Sequence, residues 1–191
     1  MINYTLIGEA LAYYKNLHKY KEMDVPWFVS KRTIEITKPP EARNFDTFAG
    51  CLVASGEQSL LDIRGSLNHN QKYVCATPCF RDEKEHDYLH LQHFFKVELM
   101  HVHPVDEIKA LDDMIRAAVF FHKAHVKHNP FASEIKVDTV ATGAGGMEID
   151  IEINGIEVGS YGVREFEGFR WVYGTGVAEP RFTQALNVRK I

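Results

Sequence analysis

From Met147 to Ile153 the chain alternates strictly, acid against aliphatic, and then meets Asn154-Gly155. Successive side chains of a strand point to opposite faces, so this rhythm suits a strand with one covered and one polar face. Asn-Gly is the strongest short hairpin signal, because both central residues of the tightest turn need positive φ. Ile156 to Val163 is therefore expected to return antiparallel, and a sheet of hairpin-linked strands becomes the simplest frame for the whole chain.

That hairpin carries Asp150, Glu152, Glu157 and Arg164. Asp150 and Glu152 share a face, and Glu157 comes back near one or the other. Neighbouring carboxylates repel unless a cation lies between them. Mg²⁺ held by a nucleotide's phosphates would serve, since it takes few protein oxygens; a solvent-facing acidic stripe is the alternative.

A second hairpin is expected in VCATPCFRDEKEHDYLHLQHFFKVE, residues 74–98, with strands at Tyr73 to Pro78 and His93 to His103. Its first strand ends in Phe80-Arg81-Asp82-Glu83, and its second begins His93-Phe94. An arginine can take a phosphate in a fork while a ring stacks on a base; a solvated charged loop is the plain alternative. Near the end, Gly174-Thr175-Gly176-Val177-Ala178-Glu179-Pro180-Arg181 combines small residues, which permit close backbone approach, with a proline suited to a helix's first turn. A closing helix is expected over Val177 to Val188, with Arg181 near its start.

The remaining segments fit around these. Apolar residues spaced three and four apart predict a helix from Thr5 to Lys21, ended by Met23-Asp24-Val25-Pro26. Trp27 to Thr37 reads as extended chain closed by Pro39-Pro40, and Thr47 to Ser55 as a buried strand. Ser59 to Ser66 can begin a helix. A long helix follows Pro104 and runs to about Val126 before Asn129-Pro130. Glu134 to Ala141 reads as a strand before the break at Thr142 to Gly146, and Phe169 to Gly174 as another. Six to eight strands and three helices indicate an α+β fold, an antiparallel sheet flanked by helices, in one domain spanning 1–191.

Charge and cysteine content narrow the function classes. A net charge of −4 argues against a strongly basic nucleic-acid surface. The three cysteines form no CxxC pair, which fits a reducing, cytoplasmic compartment. No window approaches the ~18–20 apolar residues of a membrane span, and the first residues lack a signal-peptide pattern. His101 with His103, and His122 with His125, lack the partners that would complete a zinc set.

Together these segments resemble the catalytic core of class II aminoacyl-tRNA synthetases. The Leu6–Pro40 unit is similar to the dimer-forming motif 1, Phe80-Arg81-Asp82-Glu83 through Phe94 and Glu98 to motif 2, and Gly174 to Arg181 to motif 3, with Pro180 interrupting the usual acid-arginine adjacency. Thr77 to Glu83, Asp150, Asn154 to Gly159 and Arg164 resemble the aspartyl/asparaginyl branch. Ser55-Gly56-Glu57 and Phe94 to Glu98 resemble the seryl type. The lysine that the aspartyl branch places three residues after its amino-group-binding glutamine would fall at Leu61, if Gln58 is that glutamine.

The resemblance implies an ATP-dependent, adenylate-forming ligase working with Mg²⁺, and a homodimer. It places Arg81 on the α-phosphate, Phe94 on adenine, Glu83 at the motif 2 loop, Arg181 on the γ-phosphate, and Asp150 and Glu157 on the magnesium. Glu57, Gln58, Glu98, Ser160 and Arg164 would surround the amino acid. The residues EKEHDYLHLQ, 83–92, set one lysine against three acids, a poor clamp for a phosphate backbone. With little chain on either side for an anticodon-binding domain, the expected acceptor is ammonia, a small molecule or a protein, as in ammonia-dependent asparagine synthetase. A minimal synthetase acting on tRNA and a non-catalytic amino-acid- or nucleotide-binding regulator are the alternatives.

Overall fold

A computed structural model describes residues 1–39, 42–82, 91–127, 135–141 and 147–188. Glu83 and most of the 83–92 loop, Pro40, Asn129-Pro130 and the Thr142–Gly146 break lie outside the described residues. In chain order the elements are α1 (Tyr4–His18), β1 (Lys21–Glu22), β2 (Phe28–Val29), α2 (Lys31–Glu35), β3 (Asp46–Thr47), β4 (Gly50–Leu52) and α3 (Gly56–Asp62). A short 3₁₀ turn, Arg64–Ser66, leads to β5 (Gln71–Phe80), β6 (His93–Val102), α4 (Glu107–Val126) and β7 (Ile135–Ala141). Then come β8 (Met147–Ile153), β9 (Ile156–Phe166), β10 (Phe169–Glu179) and α5 (Arg181–Asn187).

Among the described residues, seven strands form one sheet in the order β1-β5-β6-β10-β9-β8-β7, and β2-β4-β3 form a small second sheet. Only β1 runs parallel to its neighbour, Lys21 opposite Tyr73; the other pairings in the large sheet are antiparallel. One face of the sheet is covered by α1, α4 and α5 around a core that includes Leu6, Tyr14, Leu99, Met114, Val172 and Phe182. On the opposite face α3 packs Leu60 and Leu61 against Tyr73, Met100 and Trp171. The same face, further along the strands, carries the polar side chains of the candidate site.

Local chemistry explains the helix limits. Asn3 caps α1 by accepting from the Leu6 N–H at 3.1 Å, and Lys19, with φ of 60°, ends it in the left-handed region. The helix thus stops before the Met23–Pro26 segment expected to end it. Asp106 caps α4 by accepting from Lys109 N at 3.0 Å.

Two stretches differ from the sequence reading. Trp27 to Thr37 is extended only at Phe28–Val29. Ser30 then caps α2, its Oγ accepting from Thr33 N at 3.1 Å, while Thr33 and Ile34 turn inward with helical spacing. The expected closing helix from Val177 starts only at Arg181. Val177, Ala178 and Glu179 instead continue the ladder on β6 opposite Val97, Lys96 and Phe95, after a bulge between Thr175 and Val177. The gain from ladder hydrogen bonds to a neighbouring strand outweighs local helix propensity there. The buried Glu179 carboxylate accepts from Thr183 N at 3.0 Å and from Asn3 N at 3.1 Å, fixing the starts of both α5 and α1. Short β1 to β4, unseen or only partly seen in sequence, bring the described strands to ten.

His122 of α4 is fully buried beside Phe182, and neither ring nitrogen meets a partner in hydrogen-bonding geometry among the described residues. Burial holds its pKa down to about 3, from an ordinary 6.5, against the backbone of Gly176, which favours the charged form. The unfolded chain therefore takes up a proton as pH falls through 6.5 while the folded chain does not. The contribution is complete above that pH and is lost on acidification, by about 2 kcal/mol at pH 5. Urea denaturation at pH 7.5 and pH 5 should show a steeper loss for the native chain than for His122→Leu; equal losses would refute this.

Candidate active site

Alternation along three adjacent strands brings the polar groups together. On β6, Lys96 and Glu98 share a face; on β10, Tyr173 and Thr175 share that face; β9 contributes Ser160 and Arg164. Glu98 lies opposite Thr175, and Lys96 opposite Ala178. The side chains line two adjoining cavities.

The smaller, about 240 Å³, is bordered by Arg81, Phe94, Glu157 and Arg181. The Arg81 guanidinium carbon stands 5.0 Å from the Phe94 ring centroid, and Arg181 Nη1 stands 3.9 Å from Glu157 Oε1. Two guanidinium groups and a ring in one recess are suited to a nucleotide's phosphates and base. The larger cavity, about 720 Å³, is bordered by Glu57, Gln58, Glu98, Glu148, Ser160 and Arg164, with Tyr173. Arg81, Lys96 and Thr175 line both.

At the floor of the larger cavity Arg164 is clamped. Its Nη1 donates to Glu57 Oε2 and its Nη2 to Glu148 Oε1, each at 2.7 Å, while its guanidinium lies 4.0 Å over the Tyr173 ring. The second oxygen of Glu57 accepts from the Trp171 indole N–H at 2.7 Å, and the Tyr173 hydroxyl donates to Glu148. Burial opposes the charged guanidinium, but Glu57 foremost among the carboxylates raises its pKa overall. Gly162 makes room for this network: a Cβ there would stand 2.6 Å from the Tyr173 hydroxyl oxygen.

Lys96 Nζ sits 2.7 Å from the buried Glu98 carboxylate. Burial pushes the Glu98 carboxyl up, and Lys96 acts in the opposite direction. Asp150 is also pushed up, by burial first and by the charge of Glu157 second, against a hydrogen bond from Ser160.

The site residues expected from sequence are distributed unevenly. Arg81, Phe94, Glu157 and Arg181 meet in the smaller cavity, and Glu57, Gln58, Glu98, Ser160 and Arg164 in the larger. Asp150 borders neither; it stands opposite Ser160 in the ladder, while Glu157 stands opposite Glu152. Gln58 accepts from Ala54 N at 2.8 Å, a contact internal to its own turn. Lys96, Glu148, Trp171 and Tyr173 were not anticipated. Period two offered a signal for two of them, since Lys96 precedes Glu98 by two residues and Glu148 precedes Asp150 by two.

Oxygen donors of the Asp150–Glu157 kind fit a hard divalent cation, and the mutual repulsion felt by Asp150 is of the sort such a charge relieves. Among the described residues, no three His, Cys, Asp or Glu side chains group as a metal site. None of the helices is long and apolar enough to cross a membrane, among the same residues.

No family model matches the chain, and no curated protein matches it in sequence. Solved structures do match. A pyrrolysyl-tRNA synthetase from Desulfitobacterium hafniense superposes with a TM-score of 0.71 at 16% identity, covering 96% of this chain and 68% of that one. The cytoplasmic serine-tRNA ligase from Naegleria fowleri, in complex with AMP, gives 0.74 at 17% identity, over 97% of this chain and 48% of that one. The prolyl-tRNA synthetase from Cryptosporidium parvum, complexed with halofuginone and AMPPNP, gives 0.69 at 10% identity, over 96% and 45%. The chain therefore has the catalytic fold of class II aminoacyl-tRNA synthetases, and spans about half the length of the seryl and prolyl proteins.

Proposed function

We propose that the two cavities bind ATP and an amino acid and join them as an aminoacyl-adenylate. The observation that carries this reading is their contiguity: a recess with two arginines and a phenylalanine opens onto one lined with carboxylates, across a shared wall of Arg81, Lys96 and Thr175. The AMP and AMPPNP in two of the similar structures belong to the same chemistry.

In this reading Phe94 stacks on adenine, Arg81 takes the α-phosphate and Arg181 the γ-phosphate. The Arg81 guanidinium now lying over Phe94 gives up that ring to the base and turns to the phosphate. Glu98 receives the amino acid's ammonium, so that the carboxylate points at the shared wall. A carboxylate oxygen attacks the α-phosphorus, the bond from that phosphorus to the β-phosphate's bridging oxygen breaks, and pyrophosphate leaves. No protein nucleophile is required; positioning and charge stabilisation lower the barrier. Asp150 and Glu157 are the residues that would hold Mg²⁺, whose charge would offset that of the triphosphate.

The acceptor in this proposal is ammonia, a small molecule or a protein rather than tRNA, given the excess of acids over lysine in residues 83–92. A cytoplasmic homodimer formed through α1, which exposes Tyr4 and Leu17, belongs to the same reading. ATP–pyrophosphate exchange with each amino acid in turn is the test, and at least one should sustain exchange. Silence across the panel, with no ATP binding by calorimetry, would refute it. ATP binding without exchange would leave a non-catalytic binding module.

A further inference from the structure

We infer that the larger cavity selects an amino acid with an uncharged side chain, an inference that rests on reading that cavity as the amino-acid site. Arg164 is a cation in that cavity's lining, but its charge is already committed. One guanidinium faces two carboxylates, Glu57 and Glu148, each at 2.7 Å. The remaining inner pair, Lys96 with Glu98, is one against one. Of the other charged groups in the lining, Arg43 is paired with Asp82 at 3.0 Å and Lys38 with Glu35 at 3.2 Å, so these balance locally.

Arg81 lines the same cavity, so Glu57, Glu148 and Glu98 stand against Arg164, Lys96 and Arg81, three carboxylates matched by three cations. An amino acid's α-ammonium settles at Glu98 and its α-carboxylate at Arg81, so the zwitterionic head group leaves that balance closed. Burial disfavours an ionised Glu98, and two cations flanking it, Lys96 and the ammonium, favour it. The substrate's α-carboxylate is directed to Arg81, on the wall shared with the smaller cavity.

With that balance closed, a side-chain carboxylate would add a third anion beside Glu57 and Glu148, and a side-chain ammonium would leave a cation unmatched. Like charges crowded into a partly buried site are costly, and a site built this way rejects the wrong charge rather than merely failing to attract it. Glu148 is the carboxylate that sets the count. It can be neutralised with its acceptor oxygen retained, because glutamine keeps a carbonyl for Arg164 Nη2 and for the Tyr173 hydroxyl.

The test uses thermal shifts of the full chain with each of the twenty amino acids, alongside the exchange rates. The native protein should be stabilised most by an uncharged amino acid, with asparagine preferred to aspartate and glutamine to glutamate at least tenfold in apparent affinity. Glu148→Gln should shrink that preference by about tenfold. Strongest binding of aspartate, glutamate, lysine or arginine would overturn the inference, as would an unaltered preference in Glu148→Gln or no shift with any amino acid. Binding of uncharged amino acids without exchange would preserve the inference while defeating the adenylate reading.

Discussion

Arg81→Ala should lower ATP–pyrophosphate exchange by about 10²–10³-fold, the cost typical of removing one preorganised donor from a developing charge. The fold should be almost unaffected. In the free protein Arg81 is half-buried and rests on Phe94 with its guanidinium carbon 5.0 Å from the ring centroid, a contact worth roughly 0.5–1 kcal/mol. Circular dichroism and melting should therefore match the native chain while exchange collapses. Arg181→Ala should behave in the same direction. Near-native exchange in Arg81→Ala would mean that the α-phosphate lies elsewhere.

Glu57→Ala should act instead on the stability of the fold. Both Glu57 oxygens are used, one by Trp171 Nε1 and one by Arg164 Nη1, and the side chain is 8% exposed. Removing one member of a buried pair leaves the other without compensation, at about 3–5 kcal/mol. For a chain of this length that is roughly a 10 °C fall in Tm. Glu57→Gln should cost less, because an acceptor for the indole survives. A Tm for Glu57→Ala within a degree or two of native would show that Arg164 is held by Glu148 and Tyr173 instead.

The sequence was most legible where a pattern repeats. The strict alternation of Met147 to Ile153 and the Asn154-Gly155 turn correspond to β8 and β9. The spacing of Leu6, Ile7, Ala10 and Tyr14 corresponds to the buried side of α1. Where tertiary partners decide, pattern failed. Ser30 converts an apparently extended segment into α2 with a single side-chain cap. Val177 to Glu179 stays in the sheet because β6 is alongside. The site divides in the same way. Arginines and acids stood out by type, yet nothing in the sequence showed that Glu57, Glu148, Trp171 and Tyr173 gather around Arg164 from three separate elements. A residue's chemistry can be read from its letter, but the partner that satisfies it cannot.

The bulge in β10 has a consequence for how the chain can vary. A regular strand gives its odd positions to one side and its even positions to the other. Trp171, Tyr173 and Thr175 lie on the sheet face that carries the carboxylate-lined cavity, so unbroken counting would send Ala178 to the helix-covered side and Glu179 to the ligand side. The extra residue between Thr175 and Val177 resets the phase. Ala178 joins the smaller cavity's wall, and Glu179 turns toward Asn3 and Thr183. One strand thereby serves both cavities and still ties down two helices. The stretch between Thr175 and Arg181 is thus fixed in length more tightly than in composition: a single deletion there would exchange inside for outside at the junction of sheet and helix.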